Sequence, residues 1–218
     1  MWKSWLWSLG IAIVLVLSGG EAQAEMYMAG QVGYASPSDL SNVKGTGSIS
    51  GVMFSDLTLK NNLTYGLKIG GYLPNSLNWL GFEFEGFYNE PDLKAQTITA
   101  SSGSTRLSGS AESTKLRVAH FAVNVLARYP GETFQPYVGV GGGVNIAGLS
   151  ETPNTYSDDV SAAPNLNLLA GMRAFVTERI ALFGEVKHNR STFKFSDNEV
   201  ETRYRTTIFM AGLSFHFR

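Results

Sequence analysis

The chain has 218 residues, with 17 Lys and Arg against 18 Asp and Glu for a net charge of -1, and its composition is 44% hydrophobic and 16% charged. So small a net charge gathers neither nucleic acid nor an anionic bilayer, and a charged fraction below the ~25% usual for soluble domains hints at a surface that is not wholly aqueous. Cysteine is absent, which excludes disulfides, thiolate-held metal and a lipidated cysteine, so the fold alone must supply stability.

Residues 1–24 read as a secretory signal peptide: Lys3 near the start, the apolar run WLWSLGIAIVLVLSGG, then AQA before Glu25. A membrane anchor is the alternative, but Trp5 to Leu17 falls short of the ~20 residues that a spanning helix needs. Cleavage after Ala24 would remove Lys3 and Glu21 together and leave the net charge unchanged. Beyond it no apolar run approaches spanning length, so a mature chain, residues 25–218, that enters a membrane must do so as strands.

Eight segments with period-two alternation follow: Tyr27 to Ala35, Thr64 to Leu73, Trp79 to Glu90, Lys115 to Tyr129, Gln135 to Ala147, Asn165 to Val176, Ile180 to Arg190, and Tyr204 to Phe217. Frequent glycine within them suits the bends of a small barrel. Connections alternate in length. PNSLN, PGETF and TERI are tight turns, whereas residues 36–63, 91–113, 149–164 and 191–203 are long and polar. In an up-and-down array, alternate connections emerge at opposite ends, so one end is trimmed and the other carries four large loops. The Ser/Gly-rich SSGSTRLSGS is read as a mobile loop, not a linker.

Successive side chains of a strand point to opposite faces. In GFEFEGFY this puts Leu80, Phe82, Phe84 and Tyr88 on one side and Glu83 and Glu85 on the other. The same split sets Leu67 and Ile69 against Lys68, Leu166, Leu168 and Met172 against Asn165, Asn167 and Arg173, Leu182 and Val186 against Glu185 and Lys187, and Phe209, Leu213, Phe215 and Phe217 against Tyr204, Thr206, Ser214 and His216. We therefore expect Lys68, Glu83, Glu85, Arg128, Arg173, Glu185 and Lys187 to converge in a closed lumen, narrow at eight strands and filled by side chains, where a paired network is tolerable and an isolated ion is not. Arg173 and Glu185, across the TERI turn, are the expected pair. The alternatives are a soluble sandwich or a lipocalin-like barrel with these ions on its outside.

Tyr27, Trp79, Tyr129, Tyr137, Phe175 and Phe217 at the short-turn end, and Tyr34, Tyr65, Tyr88 and Tyr204 at the long-loop end, are expected to form two interfacial girdles. Lys115 and Arg117 share the parity of Phe121, Val123 and Val125, so either they lie above the bilayer or a bulge intervenes; the first is preferred.

On QPYVGVGGGVN, LLAGMRAFVTERIALFGEVKH and the ending AGLSFHFR, the mature chain resembles the small OmpA-like and OmpX-like outer-membrane β-barrels. The resemblance implies an all-β, eight-stranded antiparallel transmembrane barrel in the bacterial outer membrane. Its neighbours would be outer-membrane lipid and lipopolysaccharide. Gly212, Phe215 and Phe217 match the spacing of the C-terminal signal read by the barrel assembly machinery; Met210, where a polar residue is usual, and Arg218, after the terminal aromatic, depart from it. Family members include structural, adhesive, serum-resistance and channel proteins, so the loop partner does not follow from fold.

Catalytic chemistry is not evident. The lipid A deacylases carry a serine two residues after their histidine, whereas His120, His188 and His216 are followed there by Ala122, Arg190 and Arg218. GVGVGGGV lacks the Lys and Ser/Thr of a phosphate loop. Glu83 and Glu85 are read as lumen ions, not as a glycosidase pair, and the acidic stretches 157–159 and 196–199 as solvated loop charge, not a calcium site or a divalent-ion bridge to lipopolysaccharide. No cofactor or metal is expected. The reading is a non-enzymatic barrel with a filled polar core and four surface loops; the alternatives are a narrow channel and, further off, a lipid A hydrolase.

Overall fold

The computed structural model describes residues 24–38, 40–55, 58–92, 96–102, 105–111, 115–150, 160–195 and 200–217. Most of the expected signal peptide, the acidic stretches 157–159 and 196–199, and Arg218 lie outside them. The strands are β1 (Glu25–Pro37), β2 (Ser41–Gly45), β3 (Met53–Phe54), β4 (Asn62–Tyr72), β5 (Leu80–Asn89), β6 (Gln96–Ser102), β7 (Thr105–Ala111), β8 (Lys115–Arg128), β9 (Phe134–Ser150), β10 (Val160–Phe175), β11 (Ile180–Phe195) and β12 (Val200–Phe217).

Eight of these, in the order β1-β4-β5-β8-β9-β10-β11-β12, pair antiparallel, and β1 closes the ring on β12 from Met26↔Phe217 to Pro37↔Thr206. Closure removes the open edges that a sheet of this length would otherwise present. The three short connections are tight. Asn75 adopts a left-handed φ of 59° beside Pro74, a conformation asparagine tolerates better than most residues. Thr177 Oγ1 accepts from the Ile180 N–H at 3.0 Å in the last turn.

At the other end β2, β3, β6 and β7 continue the sheet from the upper part of β12, where Val200 pairs with Gly45. The Ser/Gly-rich segment expected to be a mobile loop is a hairpin, β6 against β7 in unbroken register from Gln96↔Ala111 to Ser102↔Thr105. Threonine favours strands, but with both faces largely polar the segment lacks the alternation that marks a half-buried one.

The face split is as the alternation requires. Leu67 is 72% exposed on the outer wall while its neighbour Lys68 is 3% exposed inside; Phe84 and Phe209 point outward and Glu85 and Tyr204 inward. A soluble sandwich or lipocalin-like barrel would present the reverse. The β8–β9 register runs without a shift from Lys115↔Ser150 to Arg128↔Tyr137, so no bulge rescues the cations of β8; Arg117 instead pairs with Glu90 at 3.2 Å near the long-loop end.

Inward glycines account for part of the glycine content. Tyr27 lies opposite Gly70, Tyr72 opposite Gly81, Tyr137 opposite Gly171, Phe183 opposite Gly212 and Phe87 opposite Gly66. A Cβ at Gly171 would stand 2.6 Å from the Tyr137 hydroxyl, and one at Gly81 2.6 Å from the Tyr72 ring. Each glycine is thus the seat of a ring from the next strand. In the GVGVGGGV run, a Cβ at Gly143 would come within 2.7 Å of the Ala122 Cα, so β8 and β9 leave no room there for a side chain.

Candidate functional site: the barrel lumen

Inward-facing side chains stack in layers along the barrel axis. At the short-turn end Glu25 accepts from Arg128 at 2.7 Å and from His216 Nδ1 at 2.7 Å. The Arg128 guanidinium also covers the Tyr72 ring at 3.6 Å and donates to Gln135 Oε1 at 2.9 Å.

Above this lies Arg173, among the rings of Tyr27, Tyr137 and Tyr72 at 4.3, 5.5 and 5.6 Å. Such contacts stabilise a desolvated guanidinium by up to ~2 kcal/mol each. Two of these tyrosines hand the arrangement on to carboxylates: Tyr27 donates to Glu83 at 2.6 Å and Tyr137 to Glu185 at 2.8 Å.

The next layer is a chain of ions. Lys68 Nζ lies 3.2 Å from Glu83 and 3.0 Å from Glu185, Lys187 Nζ 2.9 Å from Glu185, and Lys187 also pairs closely with Glu85. Asn124 Nδ2 donates to Glu83 at 3.3 Å and to Glu85 at 3.0 Å, and Asn167 donates to Glu85 at 2.6 Å. Lys68, Lys187 and Arg173 balance Glu83, Glu85 and Glu185, so this buried set is neutral as a whole. Charge balance, together with the hydrogen bonds from Tyr27, Tyr137, Asn124 and Asn167 to the carboxylates, is what makes these buried ions tolerable.

Beyond the ions comes an amide layer. His120 Nδ1 is 2.8 Å from Asn145 Oδ1, Asn145 donates to Asn189 at 2.8 Å, and Asn165 donates to Asn145 at 2.6 Å. Phe87 stacks on His120 at 4.3 Å between ring centroids. Leu40, Val43, Leu59, Leu116, Val118 and Phe193 then form a buried apolar cap under the long loops.

All seven residues expected in the lumen point into it, but they do not form one cluster. Lys68, Glu83, Glu85, Glu185 and Lys187 are continuous; Arg173 joins them through tyrosines, and Arg128 belongs to the Glu25 layer at the end. The expected Arg173–Glu185 pair is a correction. Register sets Arg173 against Phe183 and Glu185 against Gly171, and the ring seated on Gly171, Tyr137, occupies the space between them. A second correction concerns the girdles: Tyr27, Tyr137 and Tyr204 are buried inside, while Trp79, Tyr129 and Phe217 at one end and Tyr34 and Tyr65 at the other remain on the outer wall. Parity within each strand distinguishes the two groups. Cross-strand glycine was the signal that could have assigned Tyr27, Tyr72 and Tyr137 to the lumen, and with them the Arg173 cage.

The three histidines are spread along the barrel: His120 in the amide layer, His216 on Glu25, and His188 on the outside, 3.3 Å from Thr207 Oγ1. Among the described residues no group of three or more His, Asp or Glu side chains is placed to hold a metal ion. Gly212 seats Phe183, and Phe215 and Phe217 lie edge to face at 5.1 Å on the outer wall.

A family model described as outer membrane protein beta-barrel domain matches residues 8–217. Among solved structures, Neisserial surface protein A is 17% identical with a TM-score of 0.56, covering 88% of this chain and 97% of its own. OprG from Pseudomonas aeruginosa is 17% identical with a TM-score of 0.53, covering 91% and 98%. The outer membrane protease OmpT from Escherichia coli, at 12% identity, 92% and 99% coverage and a TM-score of 0.47, is too distant to carry an argument. No curated protein sequence matches. At these identities the likeness is one of fold.

Proposed function

We propose, because the chain belongs to the outer membrane protein β-barrel domain family and so resides in the bacterial outer membrane, that it is a non-enzymatic, non-conducting barrel that carries surface loops to envelope components or external partners. One observation supports this above others: the lumen is occupied layer by layer, with a neutral ion chain at its centre and an apolar cap beneath the loops. A rigid, filled barrel holds loop geometry steady, and loops on rigid scaffolds are where recognition concentrates. In this reading residues 1–24 are removed as a signal peptide, and Gly212, Phe215 and Phe217 of β12 present the barrel to the assembly machinery. Fold alone does not name the loop partner.

Single-channel recording in planar bilayers is the test. The proposal expects no reproducible openings from the folded chain. Openings whose conductance changes in Glu83→Gln would overturn it in favour of a narrow channel, the second reading, which draws its support from the unbroken run of ions between Lys68 and Lys187. A lipid A hydrolase would alter lipid A acylation on expression and lose that effect in His120→Ala; unchanged lipid A is the expected result.

A further inference from the structure

On the outer wall of β11 and β12, Arg190 lies directly opposite Arg205. Both belong to the outward parity: Asn189 and Ser191 on one strand and Tyr204 and Thr206 on the other are buried inside. Arg203 shares that parity two residues along β12. Like charges directly opposed across an antiparallel pair are destabilising, and among the described residues no carboxylate pairs with any of the three. The one carboxylate of this wall that is engaged, Glu201, is taken by Lys194 at 3.2 Å. Arg205 Nε is shielded from solvent without a hydrogen-bond partner.

Their position is as informative as their charge. On its other side Arg190 faces Leu166, which is exposed on the wall, and four residues below it the wall carries the exposed pair Val186 and Phe209. Arg205 sits where β12 leaves β1, its carbonyl accepting from the Ser38 N–H at 2.9 Å, and Arg203 sits where β12 takes up β2. The three guanidiniums therefore stand at the upper margin of the apolar band, at the long-loop end, which in barrels of this kind faces outward from the cell. Cations on the wall are tolerated at that depth, and an arginine fork matches phosphate oxygens bidentately.

We propose that Arg190, Arg203 and Arg205 form a binding site for the phosphate groups of an outer-leaflet lipid, namely the phosphorylated glycolipid headgroup of lipopolysaccharide. The bound phosphate removes the repulsion between Arg190 and Arg205, and the acyl chains continue down the apolar wall past Leu166, Val186 and Phe209. The inference rests on outer-membrane residence and not on whether the lumen conducts. Openings in planar bilayers would sink the plugged reading and leave this site as it is.

The test uses the full chain folded in detergent, with retention of purified lipid A followed by native mass spectrometry. Lipid A carrying its phosphates is expected to stay bound, and lipid A stripped of them to bind about tenfold more weakly, the change that ~1.4 kcal/mol produces. Arg190→Ser with Arg205→Ser is expected to show a loss of at least that size, and Arg179→Ser in the short turn none. Heat-modifiability on gels checks the fold of each variant. Equal retention of the two lipids, or a folded double variant that binds like the parent, overturns the proposal. So does competition by inorganic phosphate at concentrations equal to the lipid, which would assign the site to a free anion. If the double variant does not fold, the two lipids on the unaltered chain and the single variant Arg203→Gln give the same decision.

Discussion

Tyr137 stands between Arg173 and Glu185: its ring lies 5.5 Å from the guanidinium and its hydroxyl donates to the carboxylate at 2.8 Å. Two opposite charges on neighbouring strands are thereby coupled without touching. The side chain meets the cation with its ring face and the anion with its hydroxyl, and it fits because Gly171 lies directly across from it.

Replacing Tyr137 by Phe keeps the ring and removes the donor. A buried carboxylate then loses one hydrogen bond, at a cost of about 1–3 kcal/mol. Urea unfolding of the barrel in lipid vesicles should show this loss, and Arg173→Leu in the same background should add to it less than it costs alone, since the two groups share one network.

Glu185 serves both Lys68 and Lys187. Glu185→Gln leaves the buried set with one uncompensated positive charge and should destabilise the barrel by about 3–5 kcal/mol. Combining it with Lys187→Met restores neutrality and should recover part of that loss in the same unfolding measurement. A double variant no more stable than Glu185→Gln would show that the charge balance is not what matters.

Glycines on the two faces should respond oppositely. Gly171→Ala drives a methyl group into the Tyr137 hydroxyl at 2.6 Å and the Gly184 carbonyl at 2.7 Å, for about 1–3 kcal/mol of strain. Gly184→Ala, on the outer wall with nothing within 4 Å of the added atom, should be neutral or stabilising by about 0.4–1 kcal/mol through the unfolded chain. Equal effects at both sites would remove the ring-seat account.

Phe217 packs on Phe215 at the end of β12, the strand that closes the barrel on β1. Phe217→Ala should lower the amount of heat-modifiable protein in the outer membrane of expressing cells while leaving refolding from urea into vesicles nearly unchanged. A parallel loss in both assays would assign Phe217 to stability and not to recognition by the assembly machinery.

Much of the architecture was legible because strand parity is a local property. Phe82 and Phe84 alternating with Glu83 and Glu85 reveal a two-faced strand within four residues, and the same pattern in five strands places the ions on one side and the apolar residues on the other. The tight turns at PNSLN, PGETF and TERI supply the up-and-down order. Two features escaped for different reasons: in one strand pair parity carries no contrast, and for the tyrosines nearness to a strand end points to a girdle while parity, which does carry contrast, points inward. The β6–β7 hairpin is polar on both faces, and Tyr27, Tyr137 and Tyr204 are amphipathic enough to suit either the outer wall or the lumen.

The amino-acid sequence by itself determined that this chain makes a barrel, which side chains face inward, and that the inward set is rich in paired charge, because alternation is read residue by residue along one strand. Only the tertiary structure decided that Glu185 takes Lys68 and Lys187 instead of Arg173, that three tyrosines cage that arginine, and that Arg190 confronts Arg205 on the wall. Those relations depend on the register between strands and on the stagger with which the ring closes, and a one-residue slip in either would give every side chain a different neighbour.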